Sequence, residues 1–90
     1  MVATRDHTAE FTFYRPTAKR VFLVGDFNGW KPNELPLVRG ENGYWRGMVK
    51  LPKGTFRFRY LADGQWYVDY ASFGLLQGPF GPDSVVRIDE

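Results

Sequence analysis

Short runs in which apolar and polar residues alternate recur along this chain, and turn-forming residues separate them. No stretch carries the 3.6-residue apolar period of an amphipathic helix. Residues 9–14 form the first run, with Phe11 and Phe13 on one face, and Arg15-Pro16-Thr17 ends it. Residues 20–24 form a compact β-branched and aromatic strand. Residues 25–36 read as loop, with a short edge strand expected at 35–38. A hairpin turn follows at 39–43, where Asn42-Gly43 suits the positive φ angles of a tight turn.

Residues 44–51 place Trp45, Val49 and Leu51 on one face and Tyr44, Arg46, Met48 and Lys50 on the other. Residues 55–62 give the clearest strand, with Phe56, Phe58 and Tyr60 inward and Arg57, Arg59 and Leu61 outward. Asp63-Gly64 turns it into a strand at 65–68. Residues 70–83, rich in Gly and Pro, read as irregular, and 84–88 closes the sheet. About seven short antiparallel strands with turns between them predict an all-β sandwich. With no internal repeat or linker, residues 1–90 read as one domain.

Composition sharpens that picture. Eight Phe, five Tyr and three Trp supply a large core for so short a chain, and there is no Cys to provide a disulfide or a thiolate metal site. Twelve basic and ten acidic residues give a net charge of +2, too even a balance to call for a nucleic-acid or membrane partner. The opening residues hold no apolar stretch of signal-peptide length, and no run approaches a membrane span, so the expected location is cytoplasmic.

Catalysis finds little support. The single His, His7, falls in an opening segment that reads as a mobile, solvated terminus. No His, Cys or carboxylate spacing suits a metal, and no cofactor is expected. Asp26, Asp63, Asp69 and Asp83 stand at turns and strand ends, where Asp is an ordinary turn former. Gly25-Asp26-Phe27-Asn28-Gly29 follows a strand but lacks the Lys and the helix of a phosphate loop. The alternation Phe56-Arg57-Phe58-Arg59-Tyr60 sets its rings and its cations on opposite faces, which argues for a core rather than a nucleic-acid platform.

The tryptophans carry the most information. Trp45 falls in register with the core positions of its strand. Trp30 and Trp66 each follow a Gly-bearing turn, where a large ring is not readily buried. An exposed indole can stack on the C–H face of a sugar ring while polar neighbours bond its hydroxyl rim. Capping of the sandwich ends accounts for both rings equally well.

Val21-Phe22-Leu23-Val24-Gly25-Asp26-Phe27-Asn28-Gly29-Trp30 resembles the opening signature of carbohydrate-binding module family 48. That family includes the glycogen-binding domain of AMP-activated protein kinase β subunits and the early-set domains of isoamylases and branching enzymes. Leu51-Pro52-Lys53-Gly54, then Phe58-Arg59-Tyr60-Leu61-Ala62-Asp63-Gly64-Gln65-Trp66 with Asp69, and finally Ser84-Val85-Val86-Arg87-Ile88 continue the likeness in order over about residues 8–89. The resemblance implies an immunoglobulin-like early-set sandwich without catalytic residues.

It further implies that Trp30 and Trp66 stack on α-1,4-linked glucose units of glycogen, starch or malto-oligosaccharides, with Arg59 standing where the family usually has Lys. The last loop, Gln77-Gly78-Pro79-Phe80-Gly81-Pro82-Asp83, departs from the kinase-type pattern of an apolar residue followed by a polar one, commonly Asn. Here Phe80 is the candidate for the apolar contact and Asp83 for the polar one, and Gln65 is a further candidate for a hydroxyl contact. Some enzyme-attached members share the signature. The alternative is therefore an accessory or protein-interaction domain that docks on a glucan-metabolising enzyme and has little sugar affinity of its own.

Overall fold

The computed structural model describes residues 1–89 and contains two antiparallel sheets. One sheet combines β1 (Val2–Arg5), β2 (Thr8–Tyr14), β5 (Val38–Arg39) and β6 (Tyr44–Lys50) in the order β1-β2-β6-β5. The other contains β3 (Val21–Gly25), β4 (Leu35–Pro36), β7 (Gly54–Ala62), β8 (Gln65–Tyr67), β9 (Leu75–Gly78) and β10 (Gly81–Ile88). Its order is β4-β3-β7-β10-β9, with β8 also paired to β7. This is the expected sandwich.

The period-two pattern is what joins the two layers. Phe11 and Trp45 from the first sheet meet Leu23, Phe58, Tyr60 and Val86 from the second in one buried cluster. The Phe11 and Phe58 rings meet edge-on at 4.9 Å, and Phe13 stacks on Tyr60 at 4.4 Å. Trp45 is core, as its register predicts, and its Nε1–H donates to the Arg15 carbonyl at 2.9 Å. Tyr60 carries a hydroxyl into this interior and needs a partner. Asp69 Oδ2 accepts from it at 2.7 Å. Burial, then the Asp69 charge, pushes the Tyr60 phenol far above its ordinary value.

Three local readings change. The segment at 35–38 is not one edge strand: β4 pairs with β3, Leu37 is buried, and β5 pairs with β6 in the opposite sheet. The opening segment is not a mobile terminus, because β1 pairs along β2 from Val2 opposite Phe11 to Arg5 opposite Thr8. Its turn uses Asp6 and His7 at positive φ, and the His7 carbonyl accepts from Leu51 N–H at 2.8 Å. The segment at 70–83 is not irregular throughout, since β9 and the start of β10 form a hairpin across Pro79-Phe80. Proline at 82 and the flanking glycines disguise these strands.

The turn between β7 and β8 is fixed by its own chemistry. Asp63 and Gly64 both adopt positive φ, and the Asp63 carboxylate accepts the backbone N–H groups of Arg20 and Lys19 at 3.0 Å. Those two bonds, Arg20's first, hold the Asp63 carboxyl below its usual value. Its stabilising contribution is therefore complete above the unfolded value of about 3.9 and fades as pH falls through the lower folded value. Asp63→Ala is expected to be less stable than the parent at pH 7, with the gap closing in acid. Urea denaturation at pH 7 and pH 3 measures it.

Candidate functional site

At the end of β3 the chain enters a single 3₁₀ turn, Asp26–Asn28, and leaves it through Gly29 and Trp30, both at left-handed φ (65° and 59°). Gly25 is required here, because a Cβ would lie 2.5 Å from the Arg57 carbonyl. Asn28 closes the turn by accepting from Gly25 N–H at 3.1 Å. A left-handed tryptophan costs about 1–2 kcal/mol, and two contacts offset that strain. Trp30 N–H donates to the Gly25 carbonyl at 2.9 Å, and its indole Nε1–H donates to Asp26 Oδ1 at 2.8 Å.

The other oxygen of Asp26 accepts Arg57 N–H at 2.8 Å, supplying the partner that β3 no longer offers once it ends opposite Phe58. One carboxylate thus fixes the Trp30 ring to β7. Sequence reading treated Asp26 as a turn former and missed this role. The four-residue spacing to Trp30 was the available signal.

Arg57 and Arg59 lie on the outward face of β7, with Val85 opposite Arg57 and Val24 opposite Arg59. Both valines are buried but belong to no part of the interior cluster. Long arginine stems cover apolar surface of this kind. Arg59 Nε donates to Asp83 Oδ1 at 2.7 Å, and its Nη2 donates to the Gly81 carbonyl at 3.3 Å. Arg57 Nη1 lies 3.6 Å from the other Asp83 oxygen. Asp83 is only 5% exposed, so this carboxylate is a buried counter-ion for two guanidinium groups.

Beside Arg59 the outward face opens into a shallow pocket of about 330 Å³, at the small end for ligand pockets. Arg59, Trp66, Tyr67, Tyr70, Phe80 and Pro82 contribute to its lining. Trp66 stands opposite Leu61 on β7 and is 48% exposed. Phe80, at the tip of the β9–β10 hairpin, is 91% exposed. The structure therefore gathers Arg59, Trp66 and Phe80 in one place, with Asp83 behind Arg59. Trp30 is not part of the lining; its ring is tied to β7 through Asp26, whose other oxygen accepts the Arg57 backbone N–H. Gln65 is exposed but precedes Trp66 on β8, and strand alternation turns it to the other face.

Residues 2–89 match carbohydrate-binding module 48, also described as the isoamylase N-terminal domain. The chain belongs to this family. Its sandwich is the immunoglobulin-like early-set fold of the carbohydrate-binding module 48 family, and family membership makes it a carbohydrate-binding module.

Among curated relatives, it is 41% identical over 51 residues to 5'-AMP-activated protein kinase subunit beta-1 of Sus scrofa, covering 57% of this chain and 39% of that protein. It is 36% identical over 58 residues to 1,4-alpha-glucan branching enzyme GlgB 2 of Xanthomonas campestris, covering 61% of this chain and 8% of the enzyme. Protein PTST homolog 2, chloroplastic, of Arabidopsis thaliana is 36% identical over 53 residues, covering 59% of this chain and 10% of that protein. The chain thus spans well under half the length of these relatives. No helix among its described residues is long and apolar enough to cross a membrane.

Proposed function

We propose that this domain binds α-1,4-glucan chains without catalysing a reaction on them, through stacking of glucose rings on Trp66 and Trp30. The observation that carries the reading is the half-exposed Trp66 indole beside a guanidinium that Asp83 holds still. An indole offers a flat apolar surface to the C–H face of a pyranose. Among the described residues Arg59 Nη1 has no hydrogen-bond partner, which leaves its N–H groups to donate to a sugar hydroxyl. Phe80 supplies an apolar contact from the hairpin tip. Asp83 acts by orienting Arg59 rather than by meeting the sugar.

The strain at Trp30 supports the same reading, since left-handed bulky residues persist where the surroundings over-determine them and are concentrated at functional sites. Trp30 would meet a second glucose unit further along the outward face. Two of the relatives are a kinase subunit and a branching enzyme. By analogy the domain would bring an attached or associated enzyme to glucan.

Titration of the intrinsic tryptophan fluorescence with maltoheptaose tests this directly. A saturable change is expected as the sugar covers Trp66. An unperturbed spectrum up to millimolar sugar would overturn the reading and favour docking on a protein partner through the same face.

A further inference from the structure

Tyr70 is the most exposed ring after Phe80, at 85%, and it stands in the wall of the pocket that Trp66 and Arg59 share. Its backbone is nonetheless held on both sides. Asp69, immediately before it, is buried and accepts from the Tyr60 hydroxyl at 2.7 Å and from Ala71 N–H at 2.9 Å. Ser72 N–H returns to the Asp69 carbonyl at 3.3 Å, and Phe73 N–H donates to the Val85 carbonyl of β10 at 3.0 Å. A large aromatic group is thus presented to solvent from an anchored turn, which removes most of the ordering cost that a mobile loop would add on binding.

The surroundings narrow the chemistry. No charged residue stands between Asp69 and Asp83, although charged residues make up 24% of the chain. Trp66, Tyr70 and Phe80 come from three different segments: β8, the turn after it and the β9–β10 hairpin. Beside them, Arg59 shares the Asp83 carboxylate with Arg57 and is fixed by it. A wall of uncharged rings with one fixed donor fits a neutral polyol, whose ring faces stack on the aromatics while its hydroxyls accept from the guanidinium.

We infer that Tyr70 is a further binding residue, which adds a glucose subsite next to Trp66 and makes the domain discriminate by glucan chain length. The inference rests on the glucan-binding reading above. The Tyr70 ring covers a C–H face of the added unit, and its hydroxyl donates to or accepts from that unit's rim. A single glucose unit occupies the Trp66 position alone and does not fill the Tyr70 position. A longer chain engages both rings.

Calorimetric titration of the parent, Tyr70→Ala and Tyr70→Phe with methyl α-glucoside and maltoheptaose reads this out. Tyr70→Ala is expected to weaken maltoheptaose binding about five- to tenfold while leaving methyl α-glucoside affinity and the melting temperature unchanged. Tyr70→Phe is expected to keep most of the maltoheptaose affinity. Equal losses for both sugars, or no loss for either, would overturn the inference while leaving glucan binding intact. Absence of binding by the parent at both lengths would overturn the glucan reading, and this one with it.

Discussion

Trp66→Ala is expected to abolish measurable maltoheptaose binding and to leave a folded domain. The ring is about half in solvent, so truncating it leaves no closed cavity in the core. What the fold loses is a cross-strand pair with Leu61, a contact of up to about 1 kcal/mol. In a domain of this size that lowers the melting temperature by about 4–8 °C. Binding loses its broadest contact surface. Central aromatic anchors commonly contribute about 2 kcal/mol or more, a weakening of at least thirtyfold. Circular dichroism and the maltoheptaose titration separate the two effects. Loss of folding in this variant would show the ring to be structural, and retained affinity in a folded variant would remove stacking from the account.

How much of this is legible in sequence depends on the range of the interaction. The β6 and β7 strands are legible because Trp45, Phe58 and Tyr60 repeat with the pleat and Asn42-Gly43 and Asp63-Gly64 mark the turns beside them. The β1 strand is not, because its turn is Asp6-His7, two residues that adopt positive φ without a glycine to advertise it. The β9 strand is hidden for a related reason: its partner begins with Gly81-Pro82, a pair that ordinarily argues against a strand.

The candidate site divides the same way. Trp30, Trp66 and Arg59 stand out as residue types at turns and on an outward strand face. Their supports do not. Asp26 reaches Arg57 across 31 positions and Asp83 reaches Arg59 across 24, so neither contact leaves a local pattern. Sequence reading placed Arg59 and Asp83 side by side as hydroxyl contacts. The fold pairs them with each other, which turns Asp83 into the residue that positions Arg59. Tyr70 was passed over because the segment around it reads as irregular, whereas Asp69 anchors it to the core through Tyr60.

That pairing makes Asp83→Ala a substitution with a large expected effect on stability. The carboxylate is 5% exposed and packs over Gly78, where even a Cβ would lie 2.6 Å from Oδ2. Its removal leaves the Arg57 and Arg59 guanidinium groups facing one another with no anion between them. Breaking a buried pair from one side costs about 3–5 kcal/mol. The Arg59 side chain is 14% exposed and cannot readily turn to water, while that of Arg57 is 39% exposed and can, so the lower end of the range applies.

About 3 kcal/mol lowers the melting temperature by roughly 12–24 °C in a domain of this size. Sugar affinity should fall as well, because Arg59 loses the bond that orients it. The double variant Arg59→Met/Asp83→Ala separates the two consequences: with neither charge to bury, it should recover most of the lost stability and none of the affinity. Urea unfolding and maltoheptaose titration of the two single variants and the double variant complete the cycle. An Asp83→Ala domain as stable as its parent would show that the buried carboxylate holds nothing in place. A double variant that regains affinity would show that Arg59 is dispensable to the site.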